Sequence, residues 1–246
     1  MNEGLRPAEP LPILQGFVER FSAMRDRIER ACVRAGRDPS SVVLVGASKQ
    51  VSPERVRQAV IAGLTDLGEN RVQEAREKIA ALSDLAPRVR WHLIGHLQSN
   101  KAKLAAALFD WVHSVDSPEI ARELDRRAAE AGRRLQVLVE VNTSGETSKF
   151  GVAPDVVLGV FETLAACRAL DARGLMTVGP LTDDVRNSRS AYRLLARTLD
   201  EARRAFPGAG LDQLSMGMSG DFEIAIEEGA TMVRIGTALF GEREAR

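Results

Sequence analysis

The stretch Val42-Val43-Leu44-Val45-Gly46-Ala47-Ser48-Lys49-Gln50 is a continuous apolar run that ends on a lysine, and the pair Ser52-Pro53 follows closely. A run this short and this apolar, closed by turn residues, reads as a strand buried on both faces, as in a parallel sheet. Lys49 then stands at the carboxyl edge of the sheet. That edge is where βα loops and helix amino termini converge and where the ligands of parallel α/β folds collect. Two readings of the lysine are open: its stem snorkels to solvent, or its partly desolvated amine is a nucleophile suited to a Schiff base.

Outward from this strand the same beat repeats. Before it, Ile13, Phe17, Phe21, Met24, Ile28 and Ala31 recur every three or four residues, which predicts an extra N-terminal helix over 13–35, stopped by Gly36. After it, Ser52 caps a helix over 53–62 with Pro53 in its first turn. Further strands are expected at 65–69, 90–95, 111–115, 135–141, 172–178, 213–216 and 232–235. Helices are expected between them at 71–82, 99–107, 118–131, 154–167, 183–205 and 221–228. Strands separated by helices of this length pair in parallel through right-handed crossovers, and eight such units close into a ring. The expected fold class is α/β, a single (β/α)8 TIM barrel over residues 13–246 behind a loose leader, residues 1–12. A doubly wound open sheet is disfavoured because Gly46-Ala47-Ser48-Lys49 lacks the three spaced glycines of a dinucleotide fingerprint.

Composition narrows the function classes. The 246 residues suit one barrel, and 34 Lys and Arg balance 34 Asp and Glu. With zero net charge and only 4% aromatic residues, the chain offers neither the basic field nor the stacking platforms of a nucleic-acid binder. No run approaches the roughly 18 apolar residues of a membrane span, and residues 1–12 hold no signal core, so a soluble cytoplasmic protein is expected. Cys32 and Cys167 are isolated and read as reduced thiols. His92 and His96 have the spacing of a zinc helix but lie on a strand and turn, with Leu93 where a metalloprotease needs glutamate. No metal is expected.

The chemistry gathers at strand ends. Ser215-Met216-Gly217-Met218-Ser219-Gly220-Asp221 and Arg234-Ile235-Gly236-Thr237-Ala238-Leu239-Phe240-Gly241 follow strands seven and eight, the loops that in barrels often cradle a phosphate. Gly217, Gly220 and Gly236 let backbone approach closely, and the Ser219 and Thr237 hydroxyls add donors. Equally, Ser219 could be a plain helix cap. Arg234 interrupts an apolar strand and needs a partner, either a ligand acceptor or a structural anion among Glu227, Glu228 and Asp221. Asn70 and His96 lie on rim loops after strands two and three, and a polar loop over 142–151 follows strand five. Met176 is placed in the core or against a ring face.

Taken together, Val45-Gly46-Ala47-Ser48-Lys49, Gly68-Glu69-Asn70, Trp91-His92-Leu93-Ile94-Gly95-His96-Leu97-Gln98, Gly174-Leu175-Met176 and the two loops just quoted resemble the pyridoxal phosphate homeostasis protein family. The resemblance runs from Ile13 to Gly241. It implies a barrel similar to the amino-terminal domain of alanine racemase that binds pyridoxal 5′-phosphate (PLP), with Lys49 as the Schiff-base lysine. Ser219 and the Gly236 and Thr237 amides would hold the phosphate, Arg234 would face the pyridine nitrogen, and Asn70 would lie near the ring.

Two functions are consistent with that resemblance. One is a PLP carrier that stores, buffers or delivers the cofactor to PLP-dependent apoenzymes, as a monomer or weak homodimer. The other is an amino-acid racemase. A racemase needs a second base on the opposite face of the ring, yet the chain ends at Arg246 and its one tyrosine, Tyr192, falls on an outer helix. The carrier is therefore the expected function, with no catalytic residue assigned.

Overall fold

The computed structural model describes residues 12–180, 182 and 184–241. The expected leader, save for Pro12, and the expected helix start at Asp183 lie outside them. Eight parallel strands close into a barrel in chain order. They are β1 (Val43–Ala47), β2 (Asp66–Glu69), β3 (Arg90–Leu93), β4 (Trp111–Val115), β5 (Leu135–Glu140), β6 (Leu170–Met176), β7 (Gln213–Ser215) and β8 (Met232–Ile235). The helices are α1 (Pro12–Arg34), α2 (Pro53–Ile61), α3 (Val72–Ala81), α4 (Ala102–Leu108), α5 (Pro118–Glu130), α6 (Val157–Ala166), α7 (Val185–Ala205), α8 (Phe222–Glu227) and α9 (Thr237–Phe240). The expected caps are present: Ser52 Oγ accepts from Arg55 N and Ser117 Oγ from Ile120 N.

The extra helix has a structural task. At four residues, α9 is too short to cover β8, and α1 fills the gap by packing on α2, α8 and α9. The Phe17 ring packs tilted against Phe240, and Arg20 donates to the Leu239 carbonyl at 2.9 Å. Its buried face is the one the periodicity picked out, including Phe21, Met24, Ile28 and Ala31.

Strand alternation sorts side chains into two layers. Trp91 and Leu93, Val137 and Val139, Leu214, and Val233 and Ile235 point outward into the large core under the helices. The intervening residues point into the barrel, where Val45, Trp111, Leu138, Met176 and Met232 form a smaller apolar cluster. By the same parity His92, His113, Glu140, Ser215 and Arg234 are interior, and all five are buried.

β6 begins at Leu170, two residues before its expected start, and carries a bulge. Val137 opposes Ala172 and Leu138 opposes Gly174, which leaves Arg173 as the extra residue. Leu170 lies in the outer core, and after the inserted residue the phase is reversed, so that Leu175 faces the helices and Met176 the interior. Gly174 has φ of +148°, and a Cβ there would collide with the Gln213 carbonyl. Gly174→Ala is expected to cost about 2–4 kcal/mol. A lowered urea midpoint with an unchanged m-value is the expected result, and an unaltered midpoint would contradict this account of the bulge.

Candidate functional site

Lys49 lies two residues past the end of β1, on the turn that follows it. Parity with Val43, Val45 and Ala47 turns it to the barrel mouth and turns Ser48 the opposite way, into the layer beneath α3. There Ser48 is fully buried. Its hydroxyl donates to Glu69 Oε1 at 2.6 Å and its carbonyl accepts from Lys78 Nζ at 2.7 Å. Lys78 also pairs with Glu69 at 2.5 Å, both side chains being buried. Next to Lys49 on the other side, Gln50 adopts the left-handed backbone (φ 61°), and its N–H donates to Glu74 at 2.5 Å. The turn is thus clamped on both sides of the lysine by residues of β2 and α3. Burial pushes the Glu69 carboxyl up, against the pull of Lys78, and its second oxygen has no partner among the described residues.

The loop after β7 is held from behind by another network. Tyr192, fully buried on α7, donates to Asp221 Oδ2 at 2.5 Å, while Asp221 Oδ1 accepts from Met218 N at 2.7 Å. Burial and the Asp221 carboxylate drive the Tyr192 hydroxyl far up, so it stays a donor. Gly217 has φ of +91° and lies so close to Phe222 and Ala225 that a Cβ would not fit. Ser219 is not a helix cap, because the cap position of α8 belongs to Asp221. Among the described residues its hydroxyl has no hydrogen-bond partner, and it lines a cavity.

Arg234 is 5% exposed. Nη1 donates to Ser215 Oγ and Nη2 to the Thr177 carbonyl, each at 2.7 Å. The expected structural anions are engaged elsewhere: Glu227 and Glu228 pair with Arg189 on α7, and Asp221 with Tyr192. Among the described residues the hydrogen-bond acceptors of this buried cation are neutral.

Lys49, Ser219, Arg234, Gly236 and Thr237 line one cavity of about 240 Å³. A Cβ on Gly236 would lie 3.4 Å from the Ala47 carbonyl oxygen, an ordinary contact, so space alone does not require the glycine there. Asn70 lines a neighbouring cavity with Gly95, His96 and Phe150. There the His96 ring stacks on Phe150 at 3.9 Å, and Nδ1 pairs with Asp116 at 3.1 Å. His92 is inside the barrel, where it meets His113 and Asp66. Sequence reasoning missed the supports behind the site, and also Glu140. This interior carboxyl is 5% exposed and one of its oxygens has no partner among the described residues. Burial, reinforced by nearby Asp116 and opposed by Arg234, holds it protonated up to about pH 7.

This architecture is a recognised class. The family described as alanine racemase, N-terminal domain, matches residues 20–244. Solved racemases share the fold alone, as with that of Clostridium difficile at 17% identity and a TM-score of 0.71, which covers 96% of this chain and 58% of that one. The pyridoxal phosphate homeostasis protein of Aquifex aeolicus is far nearer, 45% identical over 92% of this chain and 98% of its own length. PipY of Synechococcus elongatus, solved with PLP bound, is 38% identical with a TM-score of 0.82, covering 92% of this chain and all of that one. The chain belongs to the pyridoxal phosphate homeostasis protein family.

Glu140 gives the molecule a distinctive pH dependence. In the unfolded chain the carboxyl ionises near 4.5, whereas in the fold it keeps its proton to about 7. The contribution of this carboxyl to stability is therefore fully present below pH 4.5 and is lost as pH rises through 7, by about 3 kcal/mol. Glu140→Gln removes this loss. Urea unfolding of the variant and parent is expected to differ by about 2–3 kcal/mol more at pH 8 than at pH 4.5, in favour of the variant. The same difference at both pH values would contradict the assignment.

Proposed function

We propose that the protein binds PLP and acts in intracellular PLP homeostasis, storing, buffering or delivering the cofactor, with Lys49 holding it as a Schiff base. The observation that carries this reading is the convergence of Lys49, Arg234 and the loops after β7 and β8 on one cavity. Bound PLP supplies an aldehyde, whose condensation with a primary amine forms a C=N bond, releases water and is reversible. Everything else falls to the chain. The clamped turn presents the Lys49 amine to the cavity, and the Ser219 hydroxyl with the Gly236 and Thr237 amides is suited to a phosphate. Arg234, a permanent cation, offers a hydrogen bond to a ring nitrogen and keeps a proton off it. A ring left unprotonated there is a weaker electron sink, which suits a carrier better than a catalyst. Asn70 borders the ring from the neighbouring cavity in this reading.

The unit that carries this activity is residues 13–246, with PLP-dependent apoenzymes as recipients and a monomer or weak homodimer as the working state. A cytoplasmic setting agrees with two free cysteines, Cys32 and Cys167. Among the described helices none is long and apolar enough to cross a membrane.

Loaded protein is expected to absorb as a PLP Schiff base, and borohydride should fix the cofactor onto the peptide containing Lys49. Lys49→Ala is expected to lose the band, and an unchanged band would move the bond to another lysine. A panel of L- and D-amino acids in deuterium oxide tests the racemase alternative. Little Cα exchange is expected, whereas turnover at ordinary enzyme rates, abolished by Lys49→Ala, would establish an enzyme.

A further inference from the structure

The barrel interior carries a continuous line of polar side chains from the amino-terminal end of the strands to the candidate site. Arg234 Nη1 meets Ser215 Oγ at 2.7 Å, and Ser215 Oγ meets His113 Nδ1 at 3.0 Å. His113 Nε2 meets His92 Nδ1 at 3.0 Å, and His92 Nε2 meets Asp66 Oδ1 at 3.0 Å. All five side chains are buried, and they come from β8, β7, β4, β3 and β2.

The protons on this line can be placed from its two ends. Arginine only donates, so Ser215 Oγ accepts from Arg234 and has its own proton to give. Burial pushes the Asp66 carboxyl up, but hydrogen bonds from His92, Arg90 and Thr65 outweigh it and hold the group ionised, with a pKa of about 2. A carboxylate only accepts, so His92 carries a proton on Nε2. With His92 neutral its Nδ1 is a lone pair, which places the His113 proton on Nε2 and leaves His113 Nδ1 to accept from Ser215. Each contact then holds one proton. An added proton on His92 would reverse the two middle bonds, make Ser215 accept twice and strand its hydroxyl hydrogen in a buried site. Burial opposes such a charge on either ring.

We propose that Asp66, His92, His113 and Ser215 form a one-directional hydrogen-bond chain, with both imidazoles neutral and protonated on Nε2, that positions Arg234 at the cofactor site. Every dipole in the chain turns its negative end toward the guanidinium, and the line ends on a carboxylate. The buried cation is thereby supported without a direct ion pair, which would occupy the donors that face the cavity. These four are positioning residues, and their role toward PLP rests on the reading given under the proposed function.

The tautomers are tested first, on the wild-type full chain labelled with ¹⁵N-histidine at pH 7. Long-range ¹H–¹⁵N spectra are expected to show two buried, neutral, Nε2-protonated rings. A charged His92 or an Nδ1-protonated His113 overturns the proposal, and this measurement needs no cofactor. His113→Phe and Ser215→Ala are then loaded with PLP and compared with wild type. Losing a hydrogen bond to a charged group should speed PLP release about tenfold or more and move the absorption maximum of the bound cofactor. Unchanged release and absorption in a folded variant also overturn the proposal. Ser215→Ala, which deletes only an oxygen, decides the matter if His113→Phe fails to fold. Wild-type protein that takes up no PLP defeats the functional reading instead, leaving the tautomer result to judge the chain.

Discussion

Closure of the ring by pairing β8 against β1 is the constraint on which the site depends. Val45 lies opposite Arg234 and Gly46 opposite Ile235, so the first and last strands share one register. Heights along the barrel follow from it. Lys49 lies a few residues beyond Val45, Thr237 a few beyond Arg234, and Ser219 a few beyond Ser215, which brings all three to the same rim. Without that register, the amine and the loops facing it would sit at different levels and line no common cavity. The pairing is itself secured from outside by α1, whose contacts reach both ends of the chain's barrel.

Buried charge is divided between the two layers that the alternation creates. Outside the strands, Glu69 and Lys78 form a tight pair with Ser48 and clamp the lysine turn. Such a pair adds little net stability, because desolvation offsets most of its attraction, but removing one partner strands the other. Its value is geometric. Inside the barrel the cation Arg234 has neutral acceptors and a distant carboxylate, and Glu140 avoids an unpaired charge by keeping its proton. The same cost is met in different ways: a close ion pair at Glu69 and Lys78 that locks the turn, and at Arg234 neutral acceptors beside the cavity.

Much of this was legible in the sequence, and the limits have physical causes. The caps at Ser52 and Ser117, the apolar strands and the glycine stops sufficed for eight βα units because each is a local signal. The β6 boundary was misplaced because a bulge shifts the side-chain phase and hides the period of two. Strand ends and the loops after them displayed Lys49, Ser219, Arg234 and Thr237 as polar residues, with Gly236 between the last two, where a buried strand should stop or stay apolar. Asn70 bears the same signal but faces the next cavity, a difference that depends on loop path and not on spacing. The supports were hidden because their partners lie far apart along the chain. One cue was present inside the barrel: His92, Glu140 and Ser215 each occupy the inward parity of a strand whose outward residues are apolar.

The supports also explain why a site carried on a turn and two loops can be well defined. Loops are ordinarily the mobile part of a barrel, and a binding group held 1 Å off its place loses much of its value. Here each group is fixed through a different region of the fold: Lys49 through β2 and α3, Ser219 through Tyr192 of α7, and Arg234 through the interior line. The last two supports meet: Arg234 N donates to the Gly217 carbonyl at 3.0 Å, and Tyr192 and Asp221 act electrostatically on the guanidinium. Independent networks perturb a site additively, whereas a single shared network fails as a unit. In the proposed reading, a change at Tyr192 or Asp221 would therefore weaken the anion grip and the ring contact together, while the turn that carries Lys49 is clamped separately by Glu69, Glu74 and Lys78.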